Sequence, residues 1–137
     1  MLDTNVISEL AKGPRSDPRV VAWALAADEM TFFLSVLTMG EIRKGIEKVA
    51  SPSRKAELES FIAATVERFS GRIMSFDAAT ADRWGRLVGR CELNGVKPPA
   101  IDSMIAAIAI EHGFTLVTRN IGDFRFAEVP LLNPWLG

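Results

Sequence analysis

Carboxylate and amide side chains recur in this chain next to short apolar segments, and their oxygen atoms could bind a metal ion. Asp3 follows the first two apolar residues, Glu41 follows the second apolar run, and Asp102 opens a strongly apolar stretch. The run Thr118-Arg119-Asn120, with Asp123 shortly after it, follows another apolar segment. Oxygen ligands without clustered His or Cys favour Mg²⁺ or Mn²⁺ over Zn²⁺. Such a site would promote attack of water on a phosphoester.

Asp102 is the acid that a purely structural role explains least. The segment that follows it, Met104 to Ile110, is apolar throughout. A helix that is apolar on nearly all sides belongs in a protein core. An unpaired carboxylate beside a core costs several kcal/mol or takes up a proton. A divalent cation would remove that cost, and it would also offset the repulsion between clustered carboxylates.

Each acid also has a structural explanation that the sequence leaves open. An acid in the first turn of a helix stabilises it by ~0.3–1 kcal/mol through the helix dipole. Thr38-x-x-Glu41 matches a capping box, in which Glu41 would bond back to the start of its helix. Asp3 or Asn5 could cap the first helix.

The overall charge argues against a nucleic-acid ligand. The net charge is −1, whereas proteins that bind nucleic acids usually carry a basic excess. Bound divalent cations would reverse the charge of an acidic site, or the basic residues could be concentrated on one face. Both explanations remain open from composition.

No feature of the sequence indicates export or a membrane. No apolar run reaches the ~20 residues that span a bilayer. Asp3 and Glu9 interrupt the run that a signal peptide would need. The single Cys91 excludes an internal disulfide and is compatible with a reducing compartment. We therefore expect a cytoplasmic protein without a membrane segment.

Short apolar runs alternate with longer segments of helical period, and these elements must position the acids. We expect strands at Met1-Leu2, Thr31–Ser35, Ile73–Phe76, Thr115–Thr118 and near Pro130–Leu132. We expect helices at Val6–Lys12, from Asp17, through Met39 to Val49, from Ser51, from Asp77 and at Ala100–His112. This alternation predicts an α/β domain over residues 1–137, with a parallel sheet covered on both faces. Ligands of such sheets bind beyond the carboxyl ends of the strands, where these acids lie.

The order of these motifs resembles that of PIN-domain proteins of the VapC/FitB type. The matching segments are Leu2-Asp3-Thr4-Asn5-Val6-Ile7-Ser8-Glu9, Ser35-x-x-Thr38-x-x-Glu41-Ile42, Asp102-Ser103-x-Ile105-Ala106-Ala107, Thr118-Arg119-Asn120-x-x-Asp123-Phe124 and Asn133-Pro134-Trp135. They span the whole chain in the order and spacing of that family. A lone Asp-Thr-Asn would be weak, but the combination is specific.

This resemblance implies a PIN-like three-layer α/β/α fold with a five-stranded parallel sheet. It implies an acidic pocket for Mg²⁺ or Mn²⁺, single-stranded RNA as the substrate, and the toxin role in a toxin–antitoxin pair. A small cognate antitoxin would inhibit the protein, and the protein would be a homodimer. Asp3 and Asp102 would be direct metal ligands, Glu41 would bind metal or position water, and Thr118 would hold the shape of the site.

The chain departs from the family pattern at two places. Many relatives have an acid where this chain has Asn120, and an amide oxygen can accept a contact but carries no charge. We favour a water-mediated role for Asn120 in catalysis, with Asp123 or a weak second metal as alternatives. Only Met1 and Leu2 precede Asp3, so the first strand is short or the recorded start is late.

Four other residues belong to the predicted site as substrate-binding or supporting groups. They are Thr4, Asn5, Arg119 and Asp123. Arg119 could contact a phosphate with two donors, or it could form an ion pair with one of the acids. On the helix from Asp77, Arg83, Arg86 and Arg90 share one face, which we expect to be solvated unless it binds RNA or a partner.

Two other functions compete with a ribonuclease. A catalytically silent PIN domain that binds RNA or a protein would explain Asn120, although the intact acids oppose it. A small-molecule phosphohydrolase on a similar sheet commonly uses an Asp two residues after its nucleophilic Asp, and this chain has Asn5 there.

Overall fold

The computed structural model describes residues 1–137 and contains six α-helices joined by short strands and turns. The helices are α1 (Thr4–Leu10), α2 (Pro18–Ala26), α3 (Val36–Glu47), α4 (Pro52–Arg68), α5 (Ala78–Leu93) and α6 (Ala100–His112). The strands are β1 (Leu34–Ser35), β2 (Ile73–Met74), β3 (Leu116–Val117) and β4 (Leu131–Leu132). Short 3₁₀ turns lie at Gly13–Arg15, Glu29–Thr31, Ile121–Phe124 and Pro134–Leu136.

Five of the six helices begin at a residue whose side chain accepts a backbone N–H. These caps are Asp3, Asp17, Ser35, Ser51 and Asp77. Such caps satisfy amides that the first turn of a helix leaves unpaired. Helix α6 is the exception, because its N-cap is Pro99 and no side chain caps it. It ends at Gly113, whose φ of 67° is readily available to glycine.

The strands pair in parallel, as the alternation of strands and helices predicts. β1 pairs with β2 and β3 pairs with β4, so the assigned strands form two two-stranded sheets. Between these two sheets, Leu2 forms a parallel bridge with Val117. The N–H of Leu2 also donates to Phe33 O at 2.9 Å. The α/β class is therefore correct, whereas one continuous five-stranded sheet stays a prediction.

Several predicted boundaries were wrong for local reasons. The first helix begins at Thr4 rather than Val6, because Asp3 rather than a later residue caps it. The predicted strand Thr31–Ser35 shrinks to its last two residues, since Asp28 caps a 3₁₀ turn that includes Thr31. The strand from Ile73 ends at Met74, since the chain turns towards the cap of α5.

Helix α6 forms the centre of the protein, as its all-round apolar sequence predicts. Its residues Ser103 and Ile105 to Ala109 are buried. Leu116 and Phe124 pack with it in one core cluster. A second cluster surrounds Leu2 and includes residues of α1 and α2. No helix of the protein is both long and apolar enough to span a membrane.

Candidate active site

Asp3 is the most buried acid of the site, with 6% of its surface exposed. Its Oδ1 accepts the N–H of Thr4 at 2.8 Å, which makes Asp3 the cap of α1. Its Oδ2 accepts the hydroxyl of Thr118 at 2.8 Å and the amide of Asn5 at 3.1 Å. Asp3 therefore caps α1, as one explanation predicted. Capping occupies Oδ1 only, and Oδ2 faces the end of β3.

Thr118 is the centre of a hydrogen-bond network between the end of β3 and α1. Its side chain is fully buried. Besides donating to Asp3, the Thr118 Oγ1 accepts from Asn5 Nδ2 at 3.1 Å and from the N–H of Asn120 at 3.0 Å. The N–H of Arg119 donates to Asn5 Oδ1 at 3.1 Å. Thr118 and Asn5 thus fix the backbone that carries residues 119 and 120.

Glu41 reaches the site from the second turn of α3. The hydroxyl of Thr4 donates to Glu41 Oε1 at 2.6 Å. The capping box predicted for Thr38 and Glu41 is wrong, because α3 begins earlier, and Ser35 Oγ accepts the N–H of Thr38 at 3.0 Å. Glu41 therefore has no role in capping, and Thr4 directs its carboxylate towards α1.

Asp102 lies in the first turn of α6. Burial, together with the negative charges of Asp3, Glu41 and Asp123, raises its pKa from 3.8 to about 6. Burial also raises the pKa of Asp3, although hydrogen bonds from Thr118 and Thr4 lower it. The four acids are therefore close enough for their negative charges to repel one another. A bound cation would relieve this repulsion.

The donor set fits a hard divalent cation that keeps part of its water shell. The site offers carboxylate and amide oxygens without His or Cys, and such oxygens suit Mg²⁺ or Mn²⁺. No three acidic, His or Cys side chains are close enough to enclose an ion by themselves. Mg²⁺ commonly binds through one or two carboxylates and completes its shell with water and substrate phosphates. Asp3 and Asp102 would supply those two carboxylates.

Arg119 and Asn120 lie at the exposed edge of the site. The guanidinium carbon of Arg119 lies 5.5 Å from the ring centroid of Trp135. Arg119 forms no ion pair with an acid, so that alternative is wrong. Asn120 is exposed and its side chain forms no hydrogen bond, whereas its N–H donates to Thr118 and its carbonyl accepts the N–H of Asp123 at 3.0 Å. Both side chains are therefore available to a ligand.

Asn133 also supports this edge, a role that its place in the Asn133-Pro134-Trp135 motif did not predict. Its Nδ2 donates to the carbonyl of Arg119 at 3.2 Å, and its Oδ1 accepts the N–H of Trp135 at 2.9 Å. The signal was the Asn-Pro pair, because an Asn side chain often bonds to the backbone two residues on. Nothing in the sequence showed that Arg119 would be the other partner.

The arginine-bearing face of α5 is solvated and distant from the site. Arg83 pairs with Glu111 at 3.2 Å, and Arg86 pairs with Asp82 at 2.9 Å. With Arg90 they line a surface cavity of about 500 Å³ that also includes Ile110. Ile110 belongs to the last turn of α6, whereas Asp102 lies in its first turn. These arginines therefore do not contribute to the acidic site.

Comparison with known proteins places the chain in a family. Residues 1–130 match the PIN domain family. The chain is 35% identical to toxin FitB of Neisseria gonorrhoeae, covering 98% of this chain and 97% of that protein. It is 33% identical to VapC ribonuclease Y4jK of Sinorhizobium fredii, covering 98% and 96%.

Solved structures agree with the sequence comparison. The crystal structure of FitAcB from Neisseria gonorrhoeae superposes with a TM-score of 0.90 at 35% identity, covering 98% of this chain and 96% of that chain. VapBC2 from Rickettsia felis, bound to a promoter DNA fragment, superposes with a TM-score of 0.78 at 27% identity, covering 97% and 96%. This chain therefore belongs to the PIN domain family and resembles its FitB and VapC toxins over nearly its whole length.

Proposed function

We propose that this protein is a Mg²⁺- or Mn²⁺-dependent endoribonuclease that hydrolyses phosphodiester bonds of single-stranded RNA. The observation that carries the proposal is the meeting of three acids: Thr4 bonds both Asp3 and Glu41, and Asp102 lies close enough for their charges to raise its pKa. A site that keeps such a carboxylate without an ion pair suits a bound cation. Relatives named VapC ribonuclease and tRNA(fMet)-specific endonuclease support RNA as the substrate class.

Asp3 and Asp102 are the proposed cation ligands. Asp3 is held by its three hydrogen bonds, so little side-chain entropy remains to be lost when a cation binds. When bound, a divalent cation would neutralise charge that develops on the reacting phosphate oxygens. The carboxylates must be ionised to bind it, and binding therefore competes with the protonation that burial favours.

Glu41 is the proposed residue that orients the attacking water. Its Oε1 is held by Thr4, and its Oε2 remains free to accept a proton. Asn120 would bond to water through its amide, and Asp123 adds negative charge nearby. The guanidinium of Arg119 would bind a phosphate next to the scissile bond.

The biological role is proposed to be that of a toxin inhibited by a cognate antitoxin. Its support is the likeness to FitB and to solved FitAB and VapBC complexes. The proposed homodimer rests on the family resemblance, and the proposed cytoplasmic location on the single Cys91, which is compatible with a reducing compartment. An antitoxin encoded by a neighbouring gene would be the first partner to test.

A silent PIN domain that only binds RNA or a protein is the second candidate. Asn120 favours it, because a neutral amide replaces an acid at the exposed edge of the site. Asp3, Glu41 and Asp102 oppose it, because the fold still brings them into one electrostatic environment. Measured Mn²⁺ binding at millimolar concentration would support the enzyme over the silent domain.

The deciding experiment is an RNA cleavage assay with purified protein that is free of antitoxin. Assorted single-stranded RNAs are incubated with Mg²⁺, Mn²⁺ or EDTA, using wild type, Asp102→Asn and Asp82→Asn. Asp82 is an exposed acid of α5, so its variant controls for loss of one charge. We expect cleavage by wild type and Asp82→Asn only when metal is present. Cleavage by Asp102→Asn at the wild-type rate would overturn the proposal.

A further inference from the structure

The first turn of α6 carries Asp102 but has no side-chain cap. Pro99 occupies the N-cap position and offers no polar side chain, in contrast to the other five helices. Ala100 and Ile101 are exposed, so few packing contacts hold them. Uncapped first turns fray readily. Something else must keep Asp102 in place.

Ser103 supplies the missing anchor from the buried side of the helix. It is fully buried, and its hydroxyl donates to the carbonyl of Ala100 at 2.7 Å. The same oxygen accepts the indole N–H of Trp84 at 2.8 Å. Trp84 belongs to α5, which packs along α6. The indole therefore ties the uncapped turn to a neighbouring helix.

The anchor determines the direction in which Asp102 points. Ser103 is the next residue, and adjacent residues of a helix are separated by about 100° around its axis. Fixing Ser103 against Trp84 fixes the rotation of the first turn, and with it the Cα–Cβ direction of Asp102. No other side-chain hydrogen bond reaches this turn.

We infer that Trp84 and Ser103 are positioning residues that hold the Asp102 carboxylate in its place opposite Asp3 and Glu41. The inference rests on the proposed function, since it assigns these two residues to the cation-binding geometry. Groups that orient metal ligands commonly change metal affinity or activity by about 10–100-fold when they are mutated. Trp84 acts through the backbone, so we expect the lower end of this range.

The test compares Trp84→Phe, Ser103→Ala and the double variant. Phenylalanine keeps the ring and removes the indole N–H. Ser103→Ala alone leaves that N–H buried and unpaired, which destabilises the protein, whereas the double variant leaves no donor unpaired. Mn²⁺ affinity is measured by calorimetry without RNA, and thermal stability and RNA cleavage are measured separately.

We expect the double variant to recover stability relative to Ser103→Ala, but to bind Mn²⁺ about tenfold more weakly than wild type, with a matching loss of kcat/KM. Trp23→Phe is the matched control, because Trp23 is held by stacking on Phe32 and not by a hydrogen bond of its indole N–H. It should bind Mn²⁺ like wild type. Trp84→Phe removes only the bond between the two helices and keeps the bond from Ser103 to Ala100. If Ser103→Ala does not fold, the Mn²⁺ affinity of Trp84→Phe is compared with that of wild type instead.

Two outcomes would overturn the inference, and they distinguish its own failure from failure of the proposed function. If wild type binds Mn²⁺ and cleaves RNA, and the folded double variant does both equally well, the two residues have only a structural role. If wild type neither binds Mn²⁺ nor cleaves RNA, the proposed function fails and the inference fails with it.

Discussion

At the level of single residues, the site is governed by the cost of keeping carboxylates close together and partly buried. Asp3 offsets this cost with three donors, from Thr4, Asn5 and Thr118. Asp102 has no such donors, and its pKa rises to about 6. The two acids therefore differ in what stabilises them, although both are proposed to bind the same cation.

The raised pKa of Asp102 predicts how stability depends on pH in the metal-free protein. The folded state holds the proton up to about pH 6, whereas the unfolded chain releases it near 3.8. The folded state binds more protons between these values, so the contribution of Asp102 to stability falls as pH rises through this window. Above pH 6 the ionised carboxylate opposes folding.

Asp102→Asn should therefore stabilise the metal-free protein at pH 7.5. Because the side chain is partly open to solvent, we expect about 1 kcal/mol, or a Tm increase of about 3–5 °C. The difference from wild type should shrink below pH 6 and vanish near pH 4, as scanning calorimetry at several pH values would show. An equal Tm at pH 7.5 would mean that burial does not perturb Asp102.

Asn120→Asp tests the position where this chain departs from its family. The Asn120 side chain is exposed and unbonded, so a carboxylate fits without disturbing the Thr118 network. We expect RNA cleavage at the wild-type rate or faster, together with tighter Mn²⁺ binding. A strong loss of cleavage in a folded variant would show that residue 120 does not face the cation.

At the level of elements, the site depends on one hydroxyl that joins the end of β3 to α1. Thr118 Oγ1 serves Asp3, Asn5 and the backbone of Asn120 at once. α3 contributes Glu41 through the hydroxyl of Thr4, and α6 contributes Asp102 from its uncapped turn. Thr118 and Thr4 thus join β3, α1 and α3 by side-chain bonds, in addition to the parallel bridge between Leu2 and Val117.

Thr118→Val should destabilise the protein, although valine keeps the shape of the side chain. The change removes the hydrogen bond to Asp3 and the acceptor for Asn5 Nδ2 and the Asn120 N–H. We expect a loss of about 2 kcal/mol in the free energy of unfolding. Urea denaturation measures it, with Thr115→Val as the control, since Thr115 is exposed and its hydroxyl is unbonded. A loss of about 0.5 kcal/mol or less would show that the network contributes little.

At the level of the whole molecule, half of the 16 basic side chains are paired with acids of the same chain. Six arginines are paired with acids of the same chain: Arg19, Arg43, Arg54, Arg68, Arg83 and Arg86. Arg119 is unpaired and lies at the edge of the site. Attraction of a phosphate backbone would therefore depend on the unpaired basic side chains as well as on bound cations.

Mn²⁺ should stabilise the wild-type protein as a whole. A ligand that binds only the folded state at 100 times its Kd adds about 2.7 kcal/mol to the free energy of unfolding. We expect the Tm to rise with Mn²⁺ and to return after EDTA, whereas Asp102→Asn should respond little. Equal shifts in both proteins would indicate that Mn²⁺ binds away from Asp102.

The sequence alone determined the features that depend on neighbouring residues. Caps at Asp17, Ser51 and Asp77 follow from local hydrogen bonds, so the starts of these helices could be predicted. The burial of α6 followed from its apolar composition. The capping box at Thr38 and Glu41 matched the local pattern, yet the structure caps α3 at Ser35, where the backbone is still extended.

The tertiary structure alone decided which side chains meet. Thr118 donates to Asp3 across 115 positions, and Thr4 donates to Glu41 across 37. The stacking of Arg119 on Trp135 and the bond from Trp84 to Ser103 also join separate elements. The physical reason is that such contacts, and the pKa of Asp102 that depends on them, are set by the packing of elements and by burial, which no local pattern encodes.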